Sequence, residues 1–186
     1  MDESYVKAVQ TYAKEKKNYL FHNLGNDHAL VIFVNIFNNA SGKIRIAANN
    51  LWNKEVVNTI EYLDALRFYL EKKSAYLDIM LSNFPEQEIK SEEGLNVYRT
   101  IHNSSAFKEG RVRIKIGHGY FTSGDQPVHF CTADDHIYRF EEDIQSRRAL
   151  CNFNDSEKVS ELNENFDSVF DSLEDIDLGK VFDKGE

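Results

Sequence analysis

Alternating helical and strand periodicities predict an α/β fold, with a mixed, largely parallel sheet and helices on both faces. Three observations carry this. Strand, helix, strand, helix and strand patterns follow one another from residue 43 to residue 116, which requires crossovers between parallel strands. The later segments 127–133, 136–141 and 147–153 read as short strands, and a tight turn at Asp135-His136 would make the first two an antiparallel hairpin. The 186 residues are 41% hydrophobic and 12% aromatic, which suits one domain with a sizeable core and excludes a disordered chain.

In chain order, residues 3–22 read as a helix, with Tyr5, Val9, Tyr12 and Tyr19-Leu20 on a helical repeat. Gly25-Asn26-Asp27 stops it. His28 to Ala40 is apolar nearly all round, the mark of a buried helix. Lys43 to Ala48 alternates and then turns apolar, as a strand entering a core does. Val56, Ile60, Leu63, Leu66 and Leu70 give residues 53–73 a helical stripe, and Tyr76 to Leu81 is a second strand. A short helix is expected from Ser91 to Ile101, a third strand over 111–116, and a last helix from Ser156 carrying Val159, Leu162, Phe166, Phe170 and Leu173. The resulting organisation is an N-terminal helix within residues 1–26, an α/β domain over 27–174, and a flexible acidic tail over 175–186.

The formal charge is −9, and residues 155–186, with 11 acidic and 3 basic side chains, hold −8 of it. The rest is nearly neutral, so a local phosphate-binding patch remains compatible with the acidic total. No apolar run approaches the ~20 residues of a membrane-spanning helix, so no membrane association is expected. The first residues, Met1-Asp2-Glu3-Ser4, do not read as a secretory signal. Two cysteines, Cys131 and Cys151, are too few for a disulfide scaffold or a structural zinc site, and a reducing cytoplasm is the simplest location. His118, His129 and His136 fit no metal-ligand spacing, so neither metal nor cofactor is expected.

Ligands of such sheets gather at the carboxyl ends of the strands. Three segments are expected there: Ala48 to Trp52, Gly117-His118-Gly119, and the region from His129 to Asn154. A separate feature is Arg111, Arg113 and Lys115, which period two would set on one face as a cationic row able to meet phosphates, or as a charged edge that blocks strand pairing. Arg147-Arg148 would extend or flank that row.

The segment Val128-His129-Phe130-Cys131-Thr132-Ala133-Asp134-Asp135, its return strand, the strand end Ala149 to Asn154 and the long helix after it resemble one half of the phospholipase D superfamily. The resemblance spans roughly residues 28–172. The family motif is His-x-Lys, four residues, then Asp, followed by a strand end with a small residue and Asn. Its histidine attacks a phosphodiester phosphorus, a second histidine protonates the leaving group, and the Lys and Asn hold the non-bridging oxygens. His129 matches the nucleophile, Cys131 stands at the Lys position, and His136 stands at the Asp position with Asp134 and Asp135 beside it. Asn152 or Asn154 matches the Asn, and Arg139 on the return strand is a candidate to replace the missing cation across the hairpin. The resemblance thus implies catalytic roles for His129, Asn152 and Asp134 and phosphate contacts for Arg139 and Asn154, and the cationic row separately offers Arg111, Arg113 and Lys115 as phosphate contacts.

Cys131 carries no fixed charge and cannot anchor a phosphate as lysine does. The expected function is therefore a degenerate phosphodiesterase site in a binding or regulatory subunit of a cytoplasmic assembly, of the bacterial-defence or nucleic-acid-processing kind. Two alternatives stand beside it. One is an active homodimeric phosphodiesterase or nuclease in which a second copy supplies the second histidine, and the other is a protein-interaction module. Nucleic acid, a second copy and a protein partner all remain open as partners.

Overall fold

The computed structural model describes residues 2–91, 94–119, 122–123, 126–144, 146 and 148–182. Along the chain run α1 (Glu3–Lys14), β1 (Phe21–Leu24), α2 (Gly25–Asn39), β2 (Lys43–Ala48), α3 (Ile60–Leu70), β3 (Tyr76–Leu81), α4 (Glu86–Ser91), α5 (Val97–Asn103) and α6 (Ser105–Lys108). There follow β4 (Val112–Ile116), β5 (Thr122–Ser123), β6 (Gln126–Pro127), β7 (His129–Ala133), β8 (Ile137–Asp143), β9 (Arg148–Asn152), α7 (Ser156–Phe170), β10 (Glu174–Asp175) and α8 (Leu178–Phe182).

Eight strands form one mixed sheet in the order β1-β9-β8-β7-β2-β3-β4-β10. The parallel part is confined to β2, β3 and β4, which the helical crossovers require. Every other pairing in this sheet is antiparallel, so the antiparallel share exceeds the one expected. β5 and β6 pair separately. Ile44, Ile46, Leu77, Ile79 and Ile114 face a core shared with α1, α2, α3 and α5. On the opposite face, Ala47, Met80, Phe130 and Tyr138 pack against Val159, Leu162, Phe166 and Phe170 of α7. This is the period-two alternation of the strands read in three dimensions. No helix among the described residues is long and apolar enough to cross a membrane.

The first helix ends at Lys14 rather than running to residue 22. Lys16 turns into the left-handed region at φ 49°, and the chain then continues into edge strand β1. Tertiary contacts override the helical repeat here. Asn152 donates from Nδ2 to Asn18 Oδ1 and accepts from the Tyr19 amide, and Tyr12, Tyr19 and Phe21 pack edge to face. The N-terminal segment is thereby integral to the sheet and the core, where Val9 is fully buried.

The third helix begins only at Ile60, because Asn53 accepts hydrogen bonds from the Glu55 and Val56 amides and holds residues 53–59 in turns. Ser91 closes α4, and Asn96, accepting from the Arg99 amide, caps α5, so the helix expected over 91–101 starts later.

The C-terminal segment, expected to be loose, adds β10 to the sheet edge beside β4, and Leu178 of α8 is completely buried. Residues 183–186 of that segment lie outside the described residues, as does Arg147. Leu178→Ala is expected to cost about 2–5 kcal/mol, the range for truncating a buried leucine. A urea midpoint unchanged from the parent protein would show that α8 adds nothing to stability.

Candidate functional site

His129 opens β7 and lies directly opposite Glu141 on β8, so both side chains leave the same face of the sheet. Arg139, two residues earlier on β8, shares that face and sits opposite Cys131. Together with α2, the end of β2 and the following loop, they enclose a cavity of about 190 Å³. Phe33, Trp52, Val56 and Val57 supply its apolar walls, while Asn49, His129, Arg139 and Glu141 supply polar groups.

The polar groups form one chain. The Asn49 amide donates to His129 Nε2 at 3.1 Å. Nε2 is therefore unprotonated, and the ring proton is on Nδ1, which donates to Glu141 Oε2 at 2.9 Å. The other carboxylate oxygen accepts from Arg139 Nη2 at 3.2 Å. Arg139 Nε donates to Asn23 Oδ1 at 3.1 Å, and its guanidinium lies 5.1 Å from the Phe33 ring centroid. The side chains of Glu141 and Arg139 are 3% and 4% exposed, against 17% for His129. Burial pushes the Glu141 carboxyl up, but the His129 hydrogen bond and the Arg139 charge outweigh it and hold the carboxyl below its ordinary range. Burial pushes the Cys131 thiol up to about 12, so it is neutral.

His129 and Arg139 are thus brought together, and the remaining candidates lie elsewhere. Asn152 pairs with Tyr138 toward the far end of the hairpin, where it ties down residues 18 and 19. Its neighbour Asn154 is exposed, and the Asn154 amide donates to Asn152. Asp134, in the β7–β8 turn at that same far end, accepts from the Ser41 and Gly42 amides and joins the hairpin to the α2–β2 connection. These three do not meet His129, because the catalytic grouping assumed a strand end that the antiparallel register carries away from it.

The cationic row is taken up internally. Arg111 precedes β4 and donates to the Lys72 and Ala75 carbonyls. Arg113 makes a bidentate pair with Asp78 at 2.8 and 2.7 Å and reaches Asp171 at 2.8 Å. Lys115 pairs with Asp175 at 3.2 Å and donates to the Leu173 carbonyl. The acidic C-terminal region thus contributes partners to Arg113 and Lys115. His118 is exposed and outside the cavity lining, and His136 pairs with Asp135. Among the described residues no group of three or more His, Cys, Asp or Glu could hold a metal ion.

Glu141, Asn23 and Phe33 escaped the sequence reading. Glu141 had a signal: a tight turn between Ala133 and Ile137 sets it opposite His129. Asn23 and Phe33 had none, since they arrive from β1 and α2.

Glu141→Gln removes the counter-charge of a buried guanidinium and is expected to cost about 3–5 kcal/mol at pH 7, whereas Arg139→Met together with Glu141→Gln recovers much of that loss. Because the folded carboxyl titrates below its unfolded value of about 4.3, its stabilisation is complete above that pH and lost as pH falls through the folded pKa. Urea unfolding at several pH values should therefore show the gap between parent and Glu141→Gln closing below about pH 4. A gap independent of pH would exclude the ion pair as its cause.

No protein-family model matches the sequence, and no curated protein sequence matches it. Among solved structures, the chain is similar to TrmBL2, an archaeal chromatin protein, with a TM-score of 0.58 and 12% identity over 94% of this chain. It spans 62% of that protein's length. It is also similar to Nuc of Salmonella typhimurium, a phospholipase D family member, with a TM-score of 0.57 and 10% identity over 86% of this chain and 99% of Nuc. NucT from Helicobacter pylori gives a TM-score of 0.56 and 10% identity, over 85% of this chain and all of NucT. With its mixed sheet, its helices on both faces and a histidine opening the first strand of the late hairpin, this chain has a phospholipase D-like α/β fold.

Proposed function

We propose that the chain is a phospholipase D-like binding domain whose site no longer hydrolyses phosphodiesters, working as a binding or regulatory component of a larger assembly of the nucleic-acid-processing or defence kind. One observation carries this reading: among the described residues lining the cavity, Arg139 is the only fixed cation, and Glu141 neutralises it. A phosphodiester carries a negative charge, and its hydrolysis adds more in the transition state, so catalysis needs uncompensated positive charge at the oxygens. Cys131, where the resemblance expects a lysine, is 1% exposed and neutral. Losing one such anchor corresponds to several powers of ten in rate, at ~1.4 kcal/mol per tenfold. TrmBL2, described as showing a novel mode of DNA binding, lends support to nucleic acid as the partner.

A hydrolytic homodimer is the second reading, and the tautomer of His129 supports its hydrolytic half. The Glu141 carboxylate holds the proton on Nδ1, so Nε2 carries the lone pair, which would attack once the Asn49 amide that now donates to it is displaced.

One assay separates them. The purified protein is expected to release no p-nitrophenol from bis-p-nitrophenyl phosphate above the buffer rate. Turnover that disappears in His129→Ala, with the thermal transition retained, would establish hydrolysis at His129 instead, and a dimer mass in light scattering of the same preparation would complete the second reading.

A further inference from the structure

We propose that the His129 cavity takes one small, uncharged planar ring carrying an N–H beside a C=O, as in a uracil or thymine base, and not a phosphate. The proposal rests on the non-hydrolytic reading above and names the ligand of that same site. Three features point to it.

The first is size and lining. About 190 Å³ is below the ~300–1,000 Å³ of pockets for drug-sized ligands and suits a single ring system. The walls include the indole ring of Trp52, and aromatic side chains bind bases through their faces.

The second is charge. Arg139 and Glu141 cancel, and His129 is neutral in the tautomer fixed by its two partners, so the polar end offers hydrogen bonds without net charge.

The third is the donor and acceptor pattern. The Asn49 amide and His129 Nε2 are one donor and one acceptor that satisfy each other across 3.1 Å. A ring edge with N–H beside C=O exchanges that one bond for two, the ring N–H donating to Nε2 and the ring C=O accepting from the Asn49 amide. The loop that must yield is already strained. Leu51 lies in the left-handed region at φ 48°, a conformation unfavourable for a bulky residue and one that gathers at ligand-binding segments.

Trp52 is the single tryptophan of the chain and lines the cavity, so its fluorescence reports occupancy directly. The full chain is titrated with uracil, with 1,3-dimethyluracil, which lacks the N–H, with a short oligouridylate and with inorganic phosphate. Uracil is expected to shift the emission saturably, 1,3-dimethyluracil to bind about tenfold more weakly, and phosphate to do nothing. A shift with oligouridylate but not free uracil also upholds the ring chemistry and shows that the base arrives on a strand. His129→Phe should abolish the response while keeping a cooperative thermal transition, at a lower temperature because Glu141 loses a partner. Equal binding of uracil and 1,3-dimethyluracil, a response to phosphate alone, or no response to either uracil or oligouridylate would overturn the proposal, and none of these outcomes depends on the variant folding. Cleavage of bis-p-nitrophenyl phosphate by the same preparation would overturn the non-hydrolytic reading alone and leave the ligand to be judged by the titration.

Discussion

A guanidinium taken out of water must keep a counter-charge or destabilise whatever holds it, and the site is built around this constraint. Arg139 is buried in the middle of the sheet, between Cys131 on one neighbouring strand and Cys151 on the other. Its charge is answered by Glu141, two residues along the same strand and so on the same face. Glu141 in turn fixes the His129 tautomer, and Asn23 ties the far side of Arg139 to β1. The chain of contacts from Asn23 to the Asn49 amide crosses the sheet from its edge strand to the mouth of the cavity. A disturbance at either end is therefore transmitted through groups that cannot lose a partner cheaply.

The same constraint decides what the cavity can attract. A lysine on β7 would place an uncompensated charge beside His129, but the residue there is Cys131, sealed into the core. The fixed cation that lines the cavity, Arg139, lies one strand over and pairs with Glu141. The pocket holds a histidine hydrogen-bonded to a carboxylate, and on the proposed reading its neutralised cation leaves it without the electrostatics that hold a phosphodiester. That combination is what separates the proposed function from that of a hydrolase with the same fold.

Charge is handled in a parallel way on the other face. Asp78 on β3 is 3% exposed and pairs with Lys43 and Arg113. Burial pushes its carboxyl up, but these two cations outweigh burial and hold it below the ordinary range. Asp167 of α7, Asp171 just after it and Asp175 of β10 add pairs to Arg45, Arg113 and Lys115. The acidic C-terminal region thus fastens α7 and β10 to a cationic sheet face.

The periodic signals in the sequence determined the layered α/β architecture, β2 and β3 to the residue, β7 to β9 within a few residues, and the apolar face of α7, because those depend on which side chains alternate between core and solvent. His129 stands out through the resemblance of its segment to the phospholipase D superfamily, and the tight turn then sets Arg139 on the neighbouring strand as a candidate beside it. Tertiary structure alone decided where the first helix stops, because Asn152, Asn18 and the tyrosine cluster belong to distant segments. It alone packed the tail into β10 and α8, which are too short for periodicity to register. And it alone sent Asp134 and Asn152 to the opposite end of the hairpin from His129. Antiparallel register is set by pairing between strands, and a shift along the ladder changes every cross-strand neighbour without altering the pattern of either strand by itself.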